Sequence, residues 1–259
     1  AKHLLICGHT DTAGRESYNE ALSQKRANVV SYVMLGDKKS RSMFVVTVNK
    51  QHTSEDIQHV LLWLSKVLGV PGANPGKIDG KIGQNTNSAI REIKRYFRSG
   101  DFPPPRYDGI FFNDDFHDIR LHLENNTTFG ASLWAVVFEI YQAELQVSLR
   151  ADGFDIHRIR DSLKWVDPDK KAVGCGETWP INARGKDNYK SQANRRVEIL
   201  FYDPDEITAE LPCKEDKCAE DDCHIFKNMD RYNPGEMETN LEACVFLPNV
   251  LLKADELLL

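Results

Sequence analysis

An aspartate and an arginine fifteen residues apart could form a charged site near the start of the chain. Asp11 lies in the segment 8–14, which has a glycine at each end, and Arg26 lies on the helix expected to follow. A carboxylate and a guanidinium can hold the two charges of a zwitterion, or they can pair with each other. Spacing alone favours the structural ion pair, because an unpaired buried charge costs several kcal/mol.

The helix that carries Arg26 is predicted from a start signal and from apolar spacing. Residues 17–20, Ser-Tyr-Asn-Glu, match a capping box with Ser17 as the N-cap. Apolar residues then recur at helical spacing as far as Leu35. Asn19 and Arg26 fall on that apolar stripe, where each needs a partner. The amide of Asn19 can serve either charge of a ligand, since it both donates and accepts.

Two downstream segments carry further polar residues. Residues 174–180 read Gly-Cys-Gly-Glu-Thr-Trp-Pro, and residues 194–198 read Asn-Arg-Arg-Val-Glu. Glu177 is expected to cap or pair. Arg195 stands at the entrance of a predicted strand, whereas Arg196 points the other way and is expected to be a solvated surface arginine.

That strand is predicted over residues 197–201. Its alternating apolar residues indicate one buried face, made of Val197, Ile199 and Phe201.

Together these motifs resemble the OmpA-like peptidoglycan-binding family. The pattern reads G-H-T-D-x-x-G-x-x-x-Y-N-x-x-L-S-x-x-R-A over residues 8–27, G-x-G-E-x-x-P over 174–180 and N-R-R-V-E over 194–198. Three motifs in the family's order are a far more specific signal than one short motif.

The resemblance implies a ligand, the diaminopimelate of the peptidoglycan stem peptide, whose end carries an ammonium and a carboxylate on one carbon. An acidic group can take the ammonium and a guanidinium the carboxylate. We therefore expect Asp11 to bind the ammonium and Arg26 the carboxylate, with other motif residues completing the pocket. The expected ligand-binding residues are Thr10, Asp11, Asn19, Arg26 and Arg195.

The resemblance also implies an α+β fold, with a βαβ-type mixed sheet and helices on one face. Residues 1–36 and 166–205 would form this OmpA-like domain. Residues 37–165 would form a mostly helical inserted subdomain, because that interruption far exceeds an ordinary loop. Residues 206–259 would be a cysteine-containing C-terminal extension.

In the family a strand and a helix precede the first motif, so we expect the chain to be a fragment or processed product, or another segment to fill the gap. The apolar run 244–252 could supply that strand, although Pro248 favours an edge position. A hydrophobic tail that packs elsewhere is the alternative.

Within the insert, residues 43–48 are β-branched enough to predict a short strand. A helix is expected from Ser54 to Gly69, followed by a turn at Asp79-Gly80. Asn85 or Thr86 is expected to cap the next helix.

Residues 54–98 resemble the small helical peptidoglycan-binding domain, through G-x-x-D-G-x-x-G-x-x-T-x-x-A over 76–89. The usual Phe-Gln pair at the end is absent, and a capped helical hairpin without a ligand explains the pattern equally well. A long helix is predicted after Phe129. The tryptophans Trp63, Trp134 and Trp165 are expected to pack the core of the insert rather than stack on sugars.

The six cysteines leave two questions open. Cys7 and Cys175 each precede a motif glycine, and either a disulfide bridge or two buried thiols fits them. The C-terminal cysteines favour disulfide-tied loops over a zinc site, because they lack a close C-x-x-C pair. Those cysteines are Cys213, Cys218, Cys223 and Cys244.

Composition narrows the function classes. The chain has 259 residues and a net charge of −6, which gives no electrostatic case for binding nucleic acid. No apolar run approaches the roughly 20 residues of a membrane span. No nucleophile elbow, phosphate loop or H-E-x-x-H is present, so we predict no enzyme, no catalytic residue, no metal and no cofactor.

The predicted function is noncovalent binding of peptidoglycan that anchors or targets a larger envelope or secreted assembly. The expected location is the envelope or periplasm of a Gram-negative bacterium, associated with the outer membrane, or export by a secretion system. The alternative is a structural adaptor of a type VI-like or contractile secretion system, whose insert docks a partner. A cell-wall hydrolase ranks third.

Overall fold

The computed structural model describes residues 2–204, which form an α+β protein. Within this range there are seven α-helices and four short β-strands. The central part of the sequence is rich in helices. The chain divides into two compact units. The first holds the residues up to Asn28 together with those from Lys164, and the second is Val29–Leu163.

The first unit is built around a central strand, β1 (His3–Gly8). Strand β4 (Val197–Tyr202) pairs with it antiparallel over its full length. Strands β2 (Lys164–Trp165) and β3 (Ala172–Gly174) both run parallel to β1. Because β4 covers one whole edge of β1, the two short parallel strands share the opposite edge.

Helix α1 (Glu16–Leu35) packs closely on the ends of β1 and β3. A Cβ at Gly8 would lie 2.0 Å from the carbonyl oxygen of Ser23, and a Cβ at Gly174 would lie 2.5 Å from the backbone nitrogen of Gln24. The Gln24 side chain also accepts from the Gly174 amide at 2.8 Å. The motif glycines are therefore needed for this close approach, which brings the first turns of α1 beside the strand ends.

The predicted end of α1 is confirmed at Leu35, but its predicted start is wrong. The helix begins at Glu16, so Ser17 lies inside the first turn and is not the N-cap. The carbonyl of Arg15 accepts from the amides of Tyr18 and Asn19, which starts the helix before the expected capping box.

The predicted strand near residue 197 is confirmed, but its predicted buried face is wrong. Leu200 and Tyr202 are buried, whereas Phe201 is 56% exposed. The register pairs Leu5 with Leu200 and Ile6 with Ile199, and both β1 residues are fully buried. The sheet therefore buries apolar residues on both faces, and alternation along β4 could not select between them.

The second unit is helical. Its longest helix, α6 (Ala131–Ala151), is buried along most of its length, as residues 133–146 all are. The other helices are α2 (Lys38–Asn49), α3 (Ser54–Val67), α4 (Gln84–Arg98), α5 (Phe116–Leu121) and α7 (Ile156–Ser162). The long helix predicted after Phe129 is confirmed.

The strand predicted over residues 43–48 is wrong, because this segment belongs to α2. Asp37 caps the helix by accepting from the amide of Ser40 at 2.7 Å. Phe44 and Val48 are buried at helical spacing, and the Phe44 ring lies 5.2 Å from that of Phe138. Burial of one helical face outweighs the β propensity of the valines.

Helix α3 confirms the prediction that begins at Ser54, with Thr53 as N-cap and a capping box to Asp56. The cap predicted for α4 is wrong, because Gly83 occupies the N-cap and both Asn85 and Thr86 lie inside the helix. The turn at residues 79–80 is held by a buried side chain: Gln58 Oε1 accepts from the amides of Asp79 (3.0 Å) and Gly80 (2.9 Å).

Two of the three tryptophans meet their prediction. Trp134 is buried in the second unit against Phe129, with ring centroids 4.8 Å apart, and Trp63 lies beside Tyr141. Trp165 belongs instead to β2 of the first unit, because the chain has already returned to the sheet there. Among residues 2–204, no helix has the length and apolar character needed to cross a membrane.

Candidate functional site

The three motif segments of the first unit meet at the carboxyl ends of β1 and β3. Beyond β1, the amide of His9 donates to the carbonyl of Arg196 at 2.8 Å, and the amide of Thr10 donates to the carbonyl of Gly176 at 2.8 Å. The turn after β1 is thus held on both sides by the downstream motifs.

Asp11 is buried in this turn, with 6% of its surface exposed. Its Oδ2 accepts from the Ser191 amide at 3.0 Å and lies 3.5 Å from Arg195 Nε. No hydrogen bond among residues 2–204 uses the second carboxylate oxygen, Oδ1. Oδ2 therefore binds the loop that contains Ser191, and Oδ1 is available to a ligand.

The contact between Arg195 and Asp11 is long, with Nε 3.5 Å from Oδ2. A turn fixes its backbone, since its amide donates to the carbonyls of Ser191 and Gln192, while its side chain stays 31% exposed. Its buried Nε has no hydrogen-bond partner within the described chain. Neither terminal nitrogen takes part in a described hydrogen bond, so the guanidinium fork is free to hold a planar carboxylate.

Asn19 is almost fully buried and its amide nitrogen is saturated. Nδ2 donates to the backbone carbonyls of Asp11 (3.1 Å) and Ala13 (3.3 Å) and to Glu177 Oε2 (2.7 Å). Only the carbonyl Oδ1 is left for a ligand, so Asn19 can serve an ammonium and not a carboxylate. Of the two roles expected from its side-chain type, this geometry favours the acceptor role.

A glycine leaves space beside that carbonyl. A Cβ at Gly14 would lie 4.0 Å from Asn19 Oδ1. Gly14 also has a φ of +106°, which L side chains rarely adopt. The backbone conformation, and not crowding, therefore favours glycine at this motif position.

Glu177 pairs, as expected, and its partner is Asn19. Sequence reasoning did not assign it to the site, because 158 residues separate the two. The fourth position of the G-x-G-E motif was the only signal that linked this carboxylate to the turn.

Arg26 is 9% exposed, and its Nη1 donates to the carbonyl of His9 at 3.4 Å. Asp11 forms an ion pair with Arg195, whereas the described partner of Arg26 is the backbone carbonyl of His9. Arg26 lies about two helical turns beyond Asn19. The contact with His9 places Nη1 of Arg26 at the start of the turn.

Thr10 contributes a buried hydroxyl. The residue is 3% exposed, and its Oγ1 has no hydrogen-bond partner among the described residues. The hydroxyl of Thr12, in contrast, joins the turn after β1 to residues 186–189. It donates to the carbonyl of Lys186 (2.7 Å) and accepts from the Tyr189 amide (3.0 Å).

Three side chains beside the turn after β1 form a charged cluster: His9, Glu198 and Arg196. His9 Nε2 lies 3.2 Å from Glu198 Oε2, and Arg196 Nε donates to Glu198 Oε1 at 2.7 Å. Burial alone would raise the pKa of Glu198, but His9 and Arg196 outweigh it and lower that pKa to about 2. The side chain of Arg196 is only 12% exposed, so its prediction as a solvated residue is wrong. It precedes β4, where strand alternation does not yet apply.

The loop before β4 is fixed by the first residue of the N-R-R motif. Asn194 Oδ1 accepts from the amides of Ile181 and Asn182, each at 2.9 Å, and its Nδ2 donates to the Asn182 carbonyl at 2.9 Å. This buried residue holds the loop that presents Arg195.

Cys7 and Cys175 are both buried and form no disulfide with each other, which answers the first cysteine question. The four C-terminal cysteines and the run 244–252 lie outside the described residues. Within residues 2–204, no three or more His, Cys, Asp or Glu side chains are grouped so that they could hold a metal ion.

Comparison with known proteins adds no assignment: no family model, no curated protein and no solved structure matches the chain significantly.

Proposed function

We propose that the first unit is an OmpA-like domain, split by the helical second unit, that binds the diaminopimelate of peptidoglycan without catalysing a reaction. The observation that carries this proposal is the Asp11–Arg195 contact. Its two groups lie 3.5 Å apart, and each keeps unused hydrogen-bonding atoms. Such a pair offers both charges of the site to a zwitterion.

The proposed contacts differ from the sequence expectation in one respect. Asp11 Oδ1 and Asn19 Oδ1 receive the ligand ammonium, and the open fork of Arg195 receives the carboxylate. Arg26 is more buried and already donates to a carbonyl, so it acts as the second guanidinium. The Thr10 hydroxyl is available for a further hydrogen bond.

By this binding the protein would anchor or target a larger assembly in a Gram-negative envelope, or one exported by a secretion system. The helical segment 54–98 is proposed as a further wall-binding module. Its Asp79-Gly80 turn has a defined shape held by Gln58, which supports a functional loop and equally a structural hairpin.

A second candidate is a structural adaptor of a secretion system that docks a partner through the second unit. Two aromatic side chains there, Phe111 and Phe154, are 70% and 46% exposed. Exposed aromatics are frequent at protein interfaces. Under this candidate, sacculus binding is weak and an assembly component is captured strongly.

The test is binding of the full chain to purified sacculi with diaminopimelate-type or lysine-type walls. Asp11→Asn keeps an acceptor for the Ser191 amide but removes the charge, and we expect it to weaken binding at least about tenfold. Arg26→Ala should weaken binding as well. The matched controls are Asp161→Asn and Arg158→Ala, which alter exposed charges of α7.

Wild-type binding to both wall types alike, or full binding by Asp11→Asn with a native thermal melt, would overturn the proposal. Muropeptide release by the same preparation, with or without zinc, would favour a hydrolase instead.

A further inference from the structure

We propose that Glu177 is a positioning residue that locks the orientation of Asn19, so that the site accepts only ligands whose amine is free. This inference rests on the proposed function and concerns the ammonium side of the same site. It implies that the protein selects stem peptides whose diaminopimelate amine is not acylated, which excludes those cross-linked through that amine.

The orientation of the Asn19 amide is forced by its surroundings. All three groups around Nδ2 are oxygens: two backbone carbonyls and the Glu177 carboxylate. Turning the amide over would place Oδ1 against those three oxygens and lose every hydrogen bond. At 2.7 Å the contact to Glu177 is the shortest of the three, and it is the only one to a charged acceptor.

The locked amide adds an acceptor where other acceptors are already unused. Among residues 2–204, no hydrogen bond uses Asp11 Oδ1 or Asn19 Oδ1. Asn19 is 2% exposed, and its unused Oδ1 lies beside the open space at Gly14. Because this carbonyl is nearly buried and receives no hydrogen bond from the described residues, it favours a ligand group that donates one.

An ammonium meets this demand and an acylated amine does not. An ammonium supplies three N–H donors and a full positive charge. Acylation leaves one N–H, removes the charge and adds a carbonyl oxygen that the acceptors would repel. A site built to hydrogen-bond an N–H group discriminates strongly against an analogue that lacks it.

Glu177 acts through Asn19 in this arrangement. Without its carboxylate, Nδ2 keeps only the two backbone carbonyls at 3.1 and 3.3 Å, and the amide is free to turn. Glu177→Gln retains an acceptor oxygen for Nδ2 while removing the charge. The conservative variant should therefore preserve the lock, and Glu177→Leu should release it.

The experiment measures two affinities for the full chain in the presence of EDTA, which excludes a metal ion as the source of positive charge. One ligand is a stem tripeptide containing diaminopimelate with a free side-chain amine, and the other is the same peptide acetylated on that amine. For wild type we expect the free-amine peptide to bind at least about tenfold more tightly.

In Glu177→Leu this preference should fall to about twofold, whereas Glu177→Gln should keep it within about threefold of wild type. The double variant Asn19→Ala/Glu177→Leu should lose no more than Asn19→Ala alone, because two residues that act as a unit are not additive. Thermal melts check that each variant folds, and Glu177→Ala replaces Glu177→Leu if the latter does not.

Two kinds of failure are distinguishable. If wild type binds neither peptide, the proposed function itself is wrong. If wild type binds the free-amine peptide but folded Glu177→Leu keeps the full preference, the positioning role is overturned. Equal losses in Glu177→Gln and Glu177→Leu also overturn it, because the charge would then contact the ligand directly.

Discussion

The buried charges of the Asp11 site and those of the second unit differ in how completely they are paired. In the second unit, Arg41 donates to Glu139 at 2.7 Å and to Asp115 at 2.6 Å, and Asn113 binds both oxygens of Glu139. In the first unit, the closest contact between Asp11 and its arginine is 3.5 Å. A closed network of this kind orders a core, whereas an open one leaves atoms for a ligand.

A second closed network in the helical unit repeats the pattern. Both oxygens of Glu144 are used, one by the Tyr107 hydroxyl at 2.5 Å and one by Arg106 at 2.7 Å. Burial and this hydrogen bond raise the pKa of Tyr107 well above its ordinary value. The Asp11 site therefore differs from these networks in how completely its charged atoms are satisfied, whereas the His9–Glu198–Arg196 cluster of the first unit resembles them.

The largest effect that tests this contrast is expected from Arg41→Ala. Glu139 is 1% exposed and would be left buried without its charged partner. Removing one member of a buried ion pair costs about 3–5 kcal/mol. We expect that loss in the free energy of unfolding, measured by denaturant titration, for a unit that contains no proposed ligand contact.

Lys38→Ala is the control for Arg41→Ala. Its partner Asp114 is exposed, and exposed ion pairs contribute little to stability. Similar unfolding curves for the two variants would contradict the view that the Arg41 network orders the core.

A smaller effect on the free energy of unfolding is expected from Glu198→Gln. This variant tests whether the His9–Glu198–Arg196 cluster stabilises the fold. The pKa of Glu198 is lowered from 4.5 to about 2. Such a carboxylate contributes roughly 3 kcal/mol of stability at neutral pH. Because the folded pKa lies below the unfolded one, this contribution is present above about pH 4.5 and is lost as the pH falls toward 2.

Unfolding free energies measured between pH 7 and pH 2 check this sign. Wild type should lose stability more steeply than Glu198→Gln below pH 4.5, and the two curves should converge near pH 2. Parallel curves over this range would mean that the His9–Glu198–Arg196 cluster does not stabilise the fold.

Local signals in the sequence predicted the helices better than the site. Helix α3 has a cap, a capping box and an apolar stripe within its own segment, and the expected helix is confirmed. Helix α2 has β-branched residues at its centre, and the burial of Phe44 and Val48 together with the Asp37 cap favours the helix. The buried face of β4 was not predictable, since both faces of the sheet carry apolar residues.

For the site, sequence motifs identified the segments that meet, but not which atoms remain free. The pairing of Asp11 with Arg195, in place of Arg26, depends on the loop fixed by Asn194. The saturation of the Asn19 amide depends on Glu177, which lies 158 residues away. Such contacts are set by tertiary packing, which spacing along the chain does not record.

The smallest effect on stability is expected from Arg195→Ala, although its effect on binding should be large. The contact to Asp11 is long, the side chain is 31% exposed, and Nε has no hydrogen-bond partner among the described residues. An ion pair of this kind contributes less than about 1 kcal/mol to folding. Arg195→Lys keeps the charge but not the planar fork, so it should restore stability without restoring sacculus binding.

Unfolding free energy and sacculus binding, measured on the same preparations, separate the two interpretations of this ion pair. An open site predicts little change in stability and a loss of binding in both Arg195 variants. A structural ion pair predicts the reverse: Arg195→Ala would lose stability comparable with Arg41→Ala, and any loss of binding would follow the fraction of unfolded protein. The ratio of the two effects, compared between Arg195 and Arg41, therefore decides whether the first unit differs from the second in function or only in geometry.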